Sequence, residues 1–219
     1  MTQEIREVLD FWFSDQAKPH WFEASPAFDQ TIRKRFGELF ARAATGELES
    51  WESSPEGSLA LCILLDQMPR NMFRGNASAY IADERALAVA ERAIRAGFDQ
   101  SLPAEQKQFL YLPFMHSEVL ANQMRALALC EAAKLRDAAR HAGGHLKIIR
   151  RFGRFPHRNA ILGRPSTPEE LDFLEESDQS FGQEAQAEAA TTESDQPDAA
   201  PGGQLLRFKD LQKDPETEP

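Results

Sequence analysis

Leu59-Ala60-Leu61-Cys62-Ile63-Leu64-Leu65 carries no polar side chain in seven consecutive residues. A buried strand and a buried helix both fit so short an apolar run, and periodicity alone does not separate them. The neighbours decide. On both sides apolar residues recur at spacings of three and four, and no segment with alternating polarity offers a partner strand. The run reads as a buried helix, opened at Ser58 and ended or kinked by Pro69. The chain then reads as all-α.

Towards the N-terminus, Thr2 caps a first helix with the stripe Ile5, Val8, Leu9, Trp12 and Phe13. Ile5 stands where the acid of a capping box would be, while Glu4 favours the helix start through its charge. Trp21-Phe22 in the next loop implies that the loop folds back onto the core. Ser25-Pro26 starts a second helix, with Phe28, Ile32, Phe36, Leu39 and Phe40 in register and Gly46 at its end. Leu48 and Trp51 anchor the turn that leads back to Ser58.

Towards the C-terminus, residues 70–75 read as a turn. Asn76 or Ser78 then starts a long helix enclosing Tyr80, Ile81, Leu87, Val89, Ala90 and Ile94, closed by Gly97. Pro103 starts a short helix that Pro113 interrupts. Ser117 caps the next, with Val119, Leu120, Leu127 and Leu129. A further helix begins near Glu131. Gly143-Gly144 is a break or weak point in it before Ile148 and Ile149. Thr167-Pro168-Glu169-Glu170 is a capping box with proline at the first helical position. The helix it opens carries Leu171 and Leu174, with Phe181 as a last anchor. The expectation is about eight helices packed as successive antiparallel hairpins, with no repeat of fixed period.

The charge is unevenly spread. Residues 165–219 hold 15 acids against 3 bases, and residues 1–164 hold 20 acids and 22 bases. From 183 to 203 no large apolar residue occurs, so that stretch cannot offset its chain entropy. The division expected is a helical domain over 1–182 and an acidic, mostly disordered tail over 183–219. Leu205, Leu206, Phe208 and Leu211 form a short amphipathic island in that tail. A body of charge +2 is a poor match to nucleic acid in bulk, though it can own a local positive site. No apolar run approaches a membrane span, and the first ten residues lack a signal peptide's basic start and apolar core. Cytoplasmic residence follows as the default. Cys62 and Cys130 sit among apolar residues and read as buried free thiols.

Two stretches echo each other. Pro69-Arg70-Asn71 follows an apolar helix end and leads through Met72-Phe73 to Arg74-Gly75. Pro156-His157-Arg158-Asn159 follows another and leads through Ala160-Ile161-Leu162 to Gly163-Arg164. The segment 148–164 holds five arginines and no acid. With Gly153, Pro156 and Gly163 among Phe152, Phe155, Ile161 and Leu162, it reads as a shaped cationic loop docked on a core.

Leu-Leu-Asp-Gln-x-Pro-Arg-Asn-x-x-Arg-Gly at 64–75 and Arg-Phe-Gly-Arg-Phe-Pro-His-Arg-Asn-x-x-Leu-Gly-Arg at 151–164 together resemble an uncharacterised, mainly bacterial family, domain of unknown function 924. Leu9-Asp10-Phe11-Trp12-Phe13, Trp21-Phe22 and 109–118 support the likeness, which runs from about Ile5 to Phe181. It implies an all-helical, tetratricopeptide-like fold and carries no established activity. Met68 stands where a larger aromatic is expected, Gly143-Gly144 falls in a helix the family pattern makes continuous, and the tail lies outside the likeness.

The candidate ligand-binding residues are Asp66, Arg70, Asn71, Arg74, Arg151, Arg154, His157, Arg158, Asn159 and Arg164. Asp66, Asp83 and Glu118 can pair with some of these arginines to lock helix ends, since a guanidinium matches a carboxylate in bidentate fashion. The arginines outnumber those three acids, and a surplus of clustered cations calls for an anion or solvent. The leading reading is a pocket for a small phosphate or carboxylate ligand, formed where the two turns meet. An enzyme on a phosphorylated or carboxylated metabolite is the second reading, with His116, Glu118 and His157 as acid–base candidates. A helical scaffold whose surface or acidic tail engages a protein partner is the third. His141 and His145 have the spacing of two metal ligands on a helix, but lack the glutamate that would follow the first. No Gly-rich phosphate loop or nucleophile elbow occurs, so no metal and no cofactor is expected.

Overall fold

The structure, a computed structural model, describes residues 1–176. The segment 183–219, its amphipathic island and Phe181 lie outside the described residues. Among the described residues all regular structure is helical. Helix α1 is Gln3–Trp12 and α2 is Pro26–Thr45. Helix α3 is built of three contiguous pieces, α-helical Pro55–Cys62, π-helical Ile63–Gln67 and α-helical Met68–Met72. Then come α4 (Asp83–Arg95), α5 (Ala104–His116), α6 (Leu120–Ala132), α7 (Arg136–Phe152) and α8 (Pro168–Glu176). None of them is long and apolar enough to cross a membrane.

The run that decided the fold class is helical and central. Residues 57–69 are buried without a break, and α3 touches α1, α2, α4 and α5. Gly57 lets α3 start here, because a Cβ at that position would stand 2.0 Å from the Trp51 carbonyl oxygen. Pro69 does not end the helix. It falls just past the π-turn, where the hydrogen-bond ladder is changing step and a missing N–H costs least.

Other ends follow the local chemistry. The Thr2, Ser25 and Ser54 hydroxyls accept from the backbone N–H three residues on, at 3.3, 3.4 and 3.1 Å. At Thr167 the capping box closes in both directions: Glu170 N–H donates to Thr167 Oγ1 at 3.2 Å and Thr167 N–H to the Glu170 carboxylate at 2.8 Å.

Other boundaries differ from the sequence reading as well. Ser58 lies inside α3, whose cap is Ser54, and α6 follows Val119 rather than a cap at Ser117. Tyr80 and Ile81 do not lie in the long helix; Asn76 caps a short 3-10 turn, Ala77–Tyr80, and α4 starts at Asp83. Helix α5 runs on through Pro113 for three more residues, so Pro113 does not interrupt it. The helix expected from Glu131 begins at Arg136, because Lys134 takes φ +58° and turns the chain. Gly143 and Gly144 lie inside an unbroken α7.

Helices α4, α5, α6 and α7 pack each on the next. The linkers 117–119 and 133–135 are short, so α5 and α7 both run antiparallel to α6 and parallel to one another. They also touch. Beyond α7 the loop 153–167 folds over a small second core of Ile148, Ile149 and Phe155, with Phe152 and Phe173 against it. Leu162, expected to dock there, is 37% exposed. Helix α8 closes the loop by packing on its Pro156–Arg158 turn. Cys62 and Cys130 are buried free thiols.

Candidate functional site

The two echoing turns meet. Both line one cavity of about 610 Å³, to which the first contributes Arg70, Asn71 and Arg74 and the second His157 and Arg158. The side walls are stripes of two helices. From α5 come Gln108, Leu112, Met115 and His116, and from α7 come Asp137, Ala138, His141 and His145. These spacings keep each set on one helical face. Trp21 and Phe22 close the remaining side.

The first turn is closely paired. Asp66 is fully buried and receives Gln67 Nε2, the Arg70 guanidinium at 3.2 Å and His116 Nδ1 at 2.7 Å. Burial alone would raise its carboxyl; Arg70 and the His116 and Gln67 hydrogen bonds outweigh that and hold it below the usual carboxylate range. Arg70 also grips Asp83 with both nitrogens, each at 2.9 Å. Arg74 takes Asp29 in the same bidentate way, at 2.8 and 3.0 Å, and Asn71 adds a third bond to that carboxylate.

The second turn spends most of its cations on its own shape. Arg154 grips Glu170 at 2.6 and 2.8 Å and reaches the Pro165 carbonyl. Arg164 grips Glu118 at 2.7 and 3.0 Å, and the same carboxylate accepts the Phe155 N–H. Arg151 pairs with Glu169 on the surface and lies over Phe152. Fully buried Asn159 donates to Ser166 and Glu170. Arg151, Arg154, Asn159, Arg164 and Glu118 therefore fold the loop, and none of them lines the cavity.

Arg158 differs. It is 7% exposed and lines the cavity, its guanidinium 4.7 Å from the Tyr80 ring and 4.5 Å from the Phe155 ring. Its nearest carboxylate is Asp83 at 3.6 Å, already held by Arg70. Its guanidinium makes no hydrogen bond to the described residues, and Nε and the nearby Tyr80 hydroxyl are both buried without one. Burial and then Arg70 push its pKa down, though a guanidinium stays charged.

Three neutral imidazoles surround it. Burial and Arg70 lower His116 despite Asp66, which makes it a neutral ring donating Nδ1–H to that carboxylate, with Nε2 as the second nitrogen. His145 donates Nδ1–H to the Met115 carbonyl at 3.2 Å, and burial lowers it to about 3. Burial and Arg158 lower His157 to about 3 as well. No group of three or more His, Cys, Asp and Glu side chains among the described residues could hold a metal ion.

The arginine surplus read from sequence is mostly matched, because Asp29, Glu169 and Glu170 were not counted as partners. Glu170 was signalled by its capping box, and its second use was not. Asp29 lies more than forty residues from the arginine it holds, and no local pattern points to it. Tyr80, His145 and the Trp21–Phe22 wall went unnominated because they enter from separate elements.

The profile of a family of bacterial proteins of unknown function (DUF924) matches residues 8–178. A solved structure of a protein of unknown function from Agrobacterium tumefaciens is 45% identical and superposes with a TM-score of 0.75, over 80% of this chain and 98% of that one. No curated protein matches the chain.

Proposed function

The chain belongs to this family of bacterial proteins of unknown function, and on that footing we propose that the cavity between the two turns binds a small carboxylate or phosphate ligand, with Arg158 as its anchor. One observation carries the reading: Arg158 is a buried guanidinium at a cavity wall with no hydrogen bond of its own. A buried donor set left unmatched is costly. A carboxylate or phosphate oxygen pair fits its fork. The neighbouring arginines are neutralised by Asp66, Asp83 and Asp29, so the site has room for one anionic group rather than a polyanion.

Thermal denaturation against a panel of carboxylates and phosphates tests this. A ligand at a hundred times its Kd adds about 2.7 kcal/mol. For a domain of this size that raises Tm by roughly 5 to 10 °C. The gain should vanish in Arg158→Met and survive in Arg151→Met, whose side chain is on the surface. A panel in which no anion moves Tm defeats the proposal.

A second reading is favoured by the Asp66–His116 contact. A fully buried carboxylate fixes the Nδ1 tautomer of an imidazole that lines the cavity, which suits Nε2 for proton transfer to or from a bound ligand. His116 fits this role better than Glu118, which lies outside the cavity. For a ligand found as above, conversion followed by NMR should cease in His116→Gln while binding persists. Binding without conversion in the unaltered protein removes this reading and leaves the first.

A further inference from the structure

The cavity is divided along its length. Helices α5 and α7 run parallel, and His145 of one meets Met115 of the other. Met115, His116, His145 and Phe155 therefore sit at one end together with Arg158 and Tyr80. Leu112 and Gln108 lie one and two turns back on α5, and His141 and Ala138 one and two turns back on α7. Trp21 and Phe22 belong to that far end, since both rings lie against Phe109, at 4.7 and 6.3 Å. The indole N–H of Trp21 is spent on the Trp12 carbonyl at 2.8 Å, so the ring offers the cavity only its apolar surface. Phe22 is 65% exposed, as an aromatic at the mouth of a groove would be. The eight residue steps from Gln108 to His116 span about 12 Å of helix.

Resting on the reading of Arg158 as an anion anchor, we infer that the ligand is an amphipathic organic acid: a single anionic head at Arg158 and an apolar body laid along Leu112 and Ala138 towards Trp21 and Phe22. A bare inorganic ion would leave this far wall wet. A polyhydroxylated body would find few partners there beyond Gln108 and the exposed rim residues His141, Asp137, Arg140 and Glu23. A cavity of this size takes a ligand of ordinary metabolite dimensions.

Calorimetric titration with acetate, butyrate, hexanoate and octanoate, and with inorganic phosphate, tests the class on the full chain. Affinity should rise roughly fourfold per methylene while the body is still being buried. In Ala138→Phe, which fills the far end, the rise should stop at the shorter acids. In Phe22→Ser, an exposed position that tolerates the change, octanoate should weaken about tenfold while acetate is unchanged. If acetate or phosphate binds as tightly as octanoate, the amphipathic class is wrong and the anion site stands. If no member binds, both fall. If octanoate binds equally well to Arg158→Met and Ala138→Phe, it binds elsewhere and the inference is overturned.

Discussion

Residues 66–75 and 153–164 share an order of residues and put it to opposite uses. In the first, Pro69-Arg70-Asn71 lies on a continuing helix, and each arginine ends on a carboxylate: Arg70 on Asp66 and Asp83, Arg74 on Asp29. In the second, Pro156-His157-Arg158-Asn159 is a 3-10 turn in a loop. There the flanking Arg154 and Arg164 hold the loop to Glu170 and Glu118, and the central Arg158 is left among aromatic rings with its hydrogen bonds unmade. A paired arginine contributes to structure. A buried arginine without matching acceptors costs stability, and such a cost is expected where a ligand is to be met.

Acid should separate the two regions most widely. His145 and His157 are neutral when folded, with values near 3 against 6.5 for an ordinary imidazole. As pH falls below 6.5 the unfolded chain gains these protons and the folded one does not, so stability drops with pH down towards 3. The loss is about 1.4 kcal/mol per pH unit for each group, or about 5 kcal/mol over the first two units. Denaturant melts from pH 7 to 4.5 should find this slope, and His157→Gln should remove close to half of it. The first turn adds to the loss through His116, which burial also keeps neutral, while Asp66 is held below the usual carboxylate range and keeps its charge.

Removing a partner should come next in size. Asp66→Ala leaves Arg70 and His116 without their buried carboxylate and should cost about 3 to 5 kcal/mol in denaturant midpoint analysis. In the second region, Glu170→Ala unties Arg154, Asn159 and the start of α8 at once. It should cost roughly 2 to 3 kcal/mol, with faster amide exchange confined to the loop and α8. Smallest of all, Arg158→Met should leave the stability of the ligand-free protein unchanged or raise it by no more than about 1 kcal/mol, since an apolar side chain suits that slot better than an unmatched cation. A loss there as large as that of Asp66→Ala would make Arg158 structural and erase the contrast.

The fold was legible where chemistry is local. Thr2, Ser25 and the Thr167–Glu170 box marked helix starts correctly, and the unbroken apolar run at 59–65 marked the buried axis. Misreadings gathered where tertiary packing overrides local preference: Pro113 and the Gly143-Gly144 pair lie inside helices whose neighbours hold them. The candidate set was half legible. Its two turns do meet, and Asp66, Arg70, Asn71, Arg74, His116, His157 and Arg158 lie in or beneath the cavity wall. What sequence could not give was the pairing. Which arginine is satisfied depends on Asp29, Asp83 and Glu170, each brought in from another helix, and only that bookkeeping singles out Arg158.

The hold that Glu170 has on the loop also sets an order of events during synthesis. Chains leave the ribosome N-terminus first, and helices α1 to α7 can begin to pack as they emerge. The loop bearing His157 and Arg158 gains its first hold when Arg164 reaches Glu118, and its second when residue 170 follows, sixteen positions after the Arg154 it grips. A nascent or truncated chain ending before that point has its helical body and a loop without the Glu170 hold, so the proposed anion site would be completed only after residue 170 has emerged.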